Sequence, residues 1–260
     1  MKDEVLKDNV TELLKVWGFE VEQLQERAMV RTPDLVATKA GQRFIIELKT
    51  KGRDARRLAK EAARMAQGEI VEHGELAGRR GTQAGIIADG VKQILALPPL
   101  EADFLTIWIH LEGDDPAFQM EQFRGAAYGV SNVIDLDGAP TRECYYFYNS
   151  DFHRYREALD GIILSRSEST EAKAQLLVNN LSPRAGRFLS SMLARQFAGA
   201  VIDPTRLERA GTIYIADCDA DRKMLGGVVA YLQEKYGRAR LCNIDMGKCE
   251  MKVALSSDEE

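Results

Sequence analysis

Asp34, Glu47 and Lys49 are the residues of this chain whose types and spacing could do hydrolytic chemistry. They lie in Pro33-Asp34-Leu35-Val36-Ala37-Thr38, a turn Lys39-Ala40-Gly41-Gln42, and Phe44-Ile45-Ile46-Glu47-Leu48-Lys49. Two short apolar runs around a glycine-containing turn read as a β-hairpin. With the turn centred on Ala40-Gly41, antiparallel partners have numbers that sum to 81, so Asp34 stands opposite Glu47. Directly opposed side chains have Cβ atoms about 4.5–5.5 Å apart. The two-residue period of a strand puts Lys49 on the face of Glu47 and turns Leu48 into the core. Two carboxylates that close repel each other unless a cation lies between them. Such an oxygen pair suits Mg²⁺, a hard cation that often uses one or two carboxylates plus water and phosphate oxygens. Mn²⁺ is the alternative ion. A neighbouring lysine can orient or help deprotonate a water and offset charge on a phosphate, so phosphodiester hydrolysis is the natural chemistry.

A Pro-Asp pair often opens a strand and Glu-x-Lys often decorates a solvated one, so the halves carry weight only together and in register. Together, Pro33, Asp34, Glu47 and Lys49, with Leu48 intervening, resemble the motif of the PD-(D/E)XK nucleases, the restriction-endonuclease-like superfamily. The segment Val10 to Val21, with its Gly18-Phe19 exit, is similar to that family's first helix. The likeness covers roughly the first quarter of the chain and follows the layout of archaeal Holliday-junction resolvases and restriction enzymes. It implies a metal-dependent endonuclease acting on DNA. The metal would be held by Asp34, Glu47 and the backbone carbonyl of Leu48, with Lys49 positioning the metal-activated water. Many members add an acid from the first helix. Glu4, Asp8 and Glu12 are the candidates, on one broad helical side, while alignment on Gly18-Phe19 brings Lys7 near that position. Many members also act as homodimers, one site per strand. The residues themselves do not separate DNA from RNA.

Positioning these groups requires a helix over residues 3–17, a strand from Phe19 to Leu24 and the hairpin. A second helix is expected from Ala55 to Glu72. It brings Arg53, Arg56, Arg57, Lys60 and Arg64 onto one face, and with Lys51 they make a phosphate-backbone track just past Lys49. A charge run of this kind is more often a solvated face. Helices are further expected over Gln83–Leu97, Ala117–Tyr128, Phe152–Leu164, Thr170–Asn179, Pro183–Phe197 and Ala220–Tyr236. Strands are expected over Phe104–Leu111, Val133–Leu136, Cys144–Tyr148, Thr212–Ala216, Ala239–Ile244 and Glu250–Leu255. This mixture predicts an α/β fold, a restriction-endonuclease-like core with a mixed central sheet flanked by helices. The polar stretch Ser165–Thr170 suggests a nuclease-like domain over residues 1–165 and a C-terminal α/β region over 166–260.

The chain has 260 residues, 45% hydrophobic and 29% charged, with a net charge of −5. That balance argues against a surface coated in basic patches but leaves local nucleic-acid binding open. The N-terminus lacks an apolar run and no stretch approaches a membrane-spanning length, so a cytoplasmic protein with no membrane partner is expected. Cys144, Cys218, Cys242 and Cys249 form no Cys-x-x-Cys pair, and with three scattered histidines they give no zinc pattern. Asp217-Cys218-Asp219-Ala220-Asp221 fails as an EF-hand, with Arg222 where glycine is needed, and reads instead as a helix cap. The aromatics Tyr145 to Tyr148, Phe152 and Tyr155 read as sheet packing ahead of a base-stacking surface. Gly78-Arg79-Arg80-Gly81 reads as a basic surface turn. No phosphate-binding glycine loop and no serine or cysteine nucleophile motif occurs. Besides a nuclease, a non-cleaving nucleic-acid-binding or assembly module and a nucleotide hydrolase fit these features.

Overall fold

The computed structural model describes residues 2–24, 32–76, 81–96, 102–113, 115–167, 172–245 and 247–252. Its elements begin with α1 (Lys2–Val16), β1 (Glu20–Gln23), β2 (Leu35–Lys39), β3 (Gln42–Lys51), α2 (Ala55–Met65), β4 (Val71–Leu76) and α3 (Gly81–Leu95). Next come β5 (Phe104–Leu111), α4 (Pro116–Tyr128), β6 (Ser131–Asp135), β7 (Arg142–Tyr145), α5 (Asp151–Arg154), β8 (Gly161–Ser167) and β9 (Ala172–Val178). The remainder is α6 (Ala185–Leu189), β10 (Val201–Ile202), α7 (Pro204–Arg209), β11 (Ile213–Ile215), α8 (Leu225–Tyr236), β12 (Leu241–Ile244) and β13 (Gly247–Lys252).

Seven strands form one mixed sheet in the order β1-β2-β3-β5-β8-β9-β10. The strands β3, β5 and β8 run parallel, β1 and β2 pair antiparallel with their neighbours, and β9 is antiparallel to β8 but parallel to β10. The expected α/β class with a helix-flanked mixed sheet is therefore what the chain adopts. On one face of the sheet, Leu6, Val10 and Leu14 of α1 recur every four residues and pack on Phe44, Ile46, Leu48 and Trp108. On the other, Ile87, Val91 and Ile94 of α3 and Phe123 of α4 cover Ile45, Ile107, Ile109 and Leu164. Tyr128 Oη ties α4 to the far edge by donating to the carbonyls of Val178 and Ile202. A second sheet, β11-β7-β6-β12, buries Val133, Cys144 and Tyr214 against Val228 and Leu232 of α8. Among the described residues, no helix is long and apolar enough to cross a membrane.

Several expected elements differ. The helix foreseen over Phe152–Leu164 is only α5, after which Gly161–Ser167 is the central strand β8. The helix foreseen near Thr170–Asn179 is β9 where it is described. Short apolar runs do not distinguish a buried strand from a buried helix, and Ile162, Ile163 and Leu164 are buried on both faces of the sheet. The helix α2 stops at Met65, followed by Gly68 at φ 76°, and residues 71–76 form β4 paired with β13. Residues 183–197 hold α6 and a short 3-10 turn rather than one helix. The boundary expected at 165/166 falls inside β8, and both main sheets draw strands from either side of it. Ser165, Arg166 and Ser167 of the polar stretch are the end of β8, and residues 168–170 lie outside the described residues. Gly78, Arg79 and Arg80 lie outside the described residues.

Candidate active site

The hairpin that carries the acidic pair has a two-residue turn, with Ala40 at φ 50° and Gly41 at φ 73°. Both central residues at positive φ is the geometry whose twist matches paired strands. The register is Leu35 with Ile46, Val36 with Ile45, and onward to Lys39 with Gln42, all summing to 81 as expected. Asp34, one residue before β2, continues that register to Glu47. Asp34 Oδ2 accepts a hydrogen bond of 2.9 Å from the N–H of Leu48, the residue after Glu47.

Glu47 sits deep in the α3 side of the sheet, beside Ile107 of β5, and its side chain is almost wholly buried. Burial, and then the nearby Asp34 carboxylate, push its pKa up to about 8, against a lowering pull from Lys49. Its Oε1 accepts from Lys49 Nζ at 2.7 Å, while Oε2 is buried with no hydrogen-bond partner. An orphaned carboxylate oxygen facing a second carboxylate is an arrangement that a cation or a proton relieves. Lys49 shares the face of Glu47, as the strand period requires, and Leu48 is buried in the opposite core.

Two further side chains complete the site. Lys49 Nζ also donates to Gln93 Oε1 on α3. That helix comes close because Gly90 lies against the sheet: a Cβ there would sit 2.8 Å from Ile107 Cδ1. Gln93, one turn on, then reaches β3. Sequence reasoning passed over Gln93, although a polar residue among the buried Gly90, Val91 and Ile94 of one helix was a usable signal. The other is Lys7 of α1, whose Nζ donates to the Leu24 carbonyl at 2.9 Å and stands 3.7 Å from Asp34 Oδ1.

The acid expected from the first helix is thus replaced by Lys7. Asp8 accepts from Gln23, Glu12 pairs with Lys15 at 2.8 Å, and Glu4 is exposed. Among the described residues no group of three or more His, Cys, Asp or Glu could hold a metal ion. Asp34 and Glu47 offer two carboxylates, which match the one or two that Mg²⁺ commonly takes from a protein. The orphaned Glu47 oxygen and its raised pKa fit a cation at this point, so the donor set suits a single hard ion.

The basic helix is only partly what its spacing suggested. Asp54 caps α2 by accepting from the Arg57 N–H. Arg57 pairs with the buried Glu61 at 2.8 Å and Arg64 with Glu69 at 2.7 Å. Arg53, Arg56 and Lys60 are exposed, and Lys51 is half-buried at the end of β3. The Asp217 cluster caps no helix, since α8 begins at Leu225; Asp217 accepts from Tyr231 and Lys235 instead. Tyr145, Tyr146, Phe147 and Phe152 are buried in the cores, so they pack rather than present faces to bases.

Comparison with protein-family models, curated proteins and solved structures returned no match.

Proposed function

We propose that this protein is a divalent-metal-dependent nuclease of the PD-(D/E)XK type that hydrolyses phosphodiester bonds, with DNA as its substrate. The observation that carries the reading is the opposition of Asp34 to a buried, half-orphaned Glu47 with Lys49 hydrogen-bonded to it. A surface hairpin gains nothing from burying a carboxylate whose charged form is penalised this way. Burying it beside a second one suits a site that binds cations.

Asp34, Glu47 and the Leu48 carbonyl would hold Mg²⁺ or Mn²⁺. When bound, the ion lowers the pKa of water and offsets charge on the phosphate oxygens. Lys49, fixed between Glu47 and Gln93, directs its ammonium into the site and orients the attacking water by hydrogen bonding. The Leu48 N–H fixes the Asp34 carboxylate by occupying Oδ2. Lys7 places a positive charge beside Asp34 and is available to a phosphate oxygen. Lys51, Arg53, Arg56 and Lys60 offer the nearby backbone their charge. A homodimer in the cytoplasm, with one site for each strand of a duplex, is the assembly that suits this chemistry.

A second reading is favoured by one observation. Lys7 stands beside Asp34 and Lys49 beside Glu47, so each carboxylate has a cationic neighbour without a metal. A nucleic-acid-binding module that does not cut would tolerate that arrangement. The two readings separate when the protein is incubated with linear, circular, branched and single-stranded DNA, and with RNA, in Mg²⁺ or in EDTA. Metal-dependent cleavage supports the nuclease; binding without cleavage even in Mg²⁺ supports the module.

A further inference from the structure

Two ammonium groups meet the carboxylate pair, one beside each acid, and they belong to different faces of the central sheet. Lys7 stands on α1, whose Leu6, Val10 and Leu14 pack on the face of Ile46 and Leu48. Its Nζ is 3.7 Å from Asp34 Oδ1 and donates to the Leu24 carbonyl at 2.9 Å. Lys49 turns to the other face, where its Nζ donates to Glu47 Oε1 at 2.7 Å and to Gln93 of α3. An ammonium carries three N–H donors. Among the described residues each of these two faces two acceptors, which leaves one N–H apiece. The Lys7 and Lys49 side chains are 19% and 20% exposed, so both reach solvent from beside a Glu47 that is 1% exposed.

Holding α1 to the Leu24 carbonyl would take only a neutral donor. An ammonium at this point also competes with any cation for Asp34, a cost that a second task for its charge would offset. Displacement at a phosphodiester runs in line, with the attacking and leaving oxygens on opposite sides of phosphorus. Each of the two oxygens gains from a cation held ready for it. Lys49 serves the attacking water, and Lys7, arriving from the other face, is the chain's remaining ammonium beside the acidic pair.

Resting on the nuclease reading, we infer that Lys7 is a catalytic residue on the leaving side, hydrogen-bonding the oxygen that departs from phosphorus. The bond from the water oxygen to phosphorus forms as the bond from phosphorus to the leaving oxygen breaks. The electron pair goes to the leaving oxygen, where the Lys7 ammonium offsets the charge. The attacking water gives its proton to solvent, and solvent protonates the departed oxygen. The two lysines thus divide one reaction between them.

The test separates attack from departure. The bond cut by the parent in a labelled DNA strand is mapped, and the end groups of the products identify the oxygen that leaves. The same strand is then made with sulfur in place of that oxygen. A thiol ionises at about pH 8.5, far below an alcohol, so a thiolate departs with little help. In single-turnover cleavage in Mg²⁺, Lys7→Met is expected to be at least about a hundredfold slower than the parent on the oxygen strand and less than about tenfold slower on the sulfur strand. Lys49→Met is expected to lose the same factor on both, and Lys7→Arg, which keeps the charge, to recover most of the oxygen-strand rate. Calorimetric titration with Mn²⁺ reads the ion apart from cleavage, and Lys7→Met should bind it at least as tightly as the parent does. A Lys7→Met protein that melts like the parent and cuts the oxygen strand at the parent's rate, or loses equally on both strands, overturns the assignment. So does weakened Mn²⁺ binding, or relief by sulfur in Lys49→Met instead. Each of those outcomes leaves the nuclease standing, whereas a parent that cuts neither strand in any divalent metal removes the nuclease and this role with it.

Discussion

Lys7 Nζ stands 3.7 Å from Asp34 Oδ1, at the position where nucleases of the resembled type commonly bring an acid from the first helix. An ammonium there cannot ligate a metal. It lowers the negative potential that draws cations to Asp34, and it leaves two carboxylates where a third could have bound a second ion. Lys7→Glu is therefore expected to tighten Mn²⁺ binding by about tenfold, equivalent to about 1.4 kcal/mol. Isothermal titration calorimetry on the two proteins checks it. Equal or weaker binding by the variant would mean that Lys7 does not face the cation.

Burial next to Asp34 makes the neutral form of Glu47 the favoured one in the fold, with a pKa near 8 against 4.5 unfolded. The contribution of a raised carboxyl pKa to stability is complete below the unfolded value and is lost as pH rises through the folded one. The metal-free protein should lose Tm between about pH 4.5 and 8, and Glu47→Gln should lose less over that window. Added Mg²⁺ at pH 8 should recover part of the difference in the parent and none in the variant. Differential scanning fluorimetry across pH, with and without the ion, reads all of these.

Gln93 is a second acceptor for Lys49 besides Glu47. Gln93→Ala leaves the lysine with one anchor, and misplacement of a positioned group by about 1 Å can cost about a hundredfold in rate. A tenfold to hundredfold fall in the single-turnover cleavage rate is expected with Tm changed by a few degrees at most. A rate equal to the parent's would remove Gln93 from the site.

On α2, Arg56 and Lys60 point outward while Arg57 is tied to Glu61. Arg56→Ala/Lys60→Ala should therefore lower duplex DNA affinity and make its salt dependence shallower by about 1.8, at about 0.9 per phosphate. Arg57→Ala should change the slope by much less, its charge being already matched. Equal effects from both would mean the helix face acts as a whole.

The hairpin was the most legible part of the chain because local chemistry alone decides it. A turn with Ala40 and Gly41 at positive φ fixes the register, and the register fixes which carboxylates meet. The basic helix was legible in existence but not in effect, since Glu61 and Glu69 neutralise two of its cations and their pairing depends on where the helix ends. Residues 152–178 misled because Ile162 to Leu164 and Leu176 to Val178 are apolar runs whose strand identity comes from neighbours far away in sequence. The contacts of Gln93 and Lys7, unlike their positions on α3 and α1, were not legible, for a similar reason. Each is an ordinary polar residue until α3 or α1 is laid against β3, and that placement is set by tertiary packing, through Gly90 on Ile107 in one case and Leu6, Val10 and Leu14 in the other.

The account stands on Asp34 and Glu47 as a cation-binding pair that supports strand cleavage, with Lys49 as the positioning group. The most direct measurement follows cleavage of one labelled DNA substrate in Mg²⁺ by the parent protein, by Glu47→Gln and by Lys49→Ala, each verified to melt cooperatively. Cleavage by the parent that stops in EDTA, with both variants slowed at least about a thousandfold, is the expected result. Cleavage that persists in either variant, or no cleavage by the parent in any divalent metal, would contradict it.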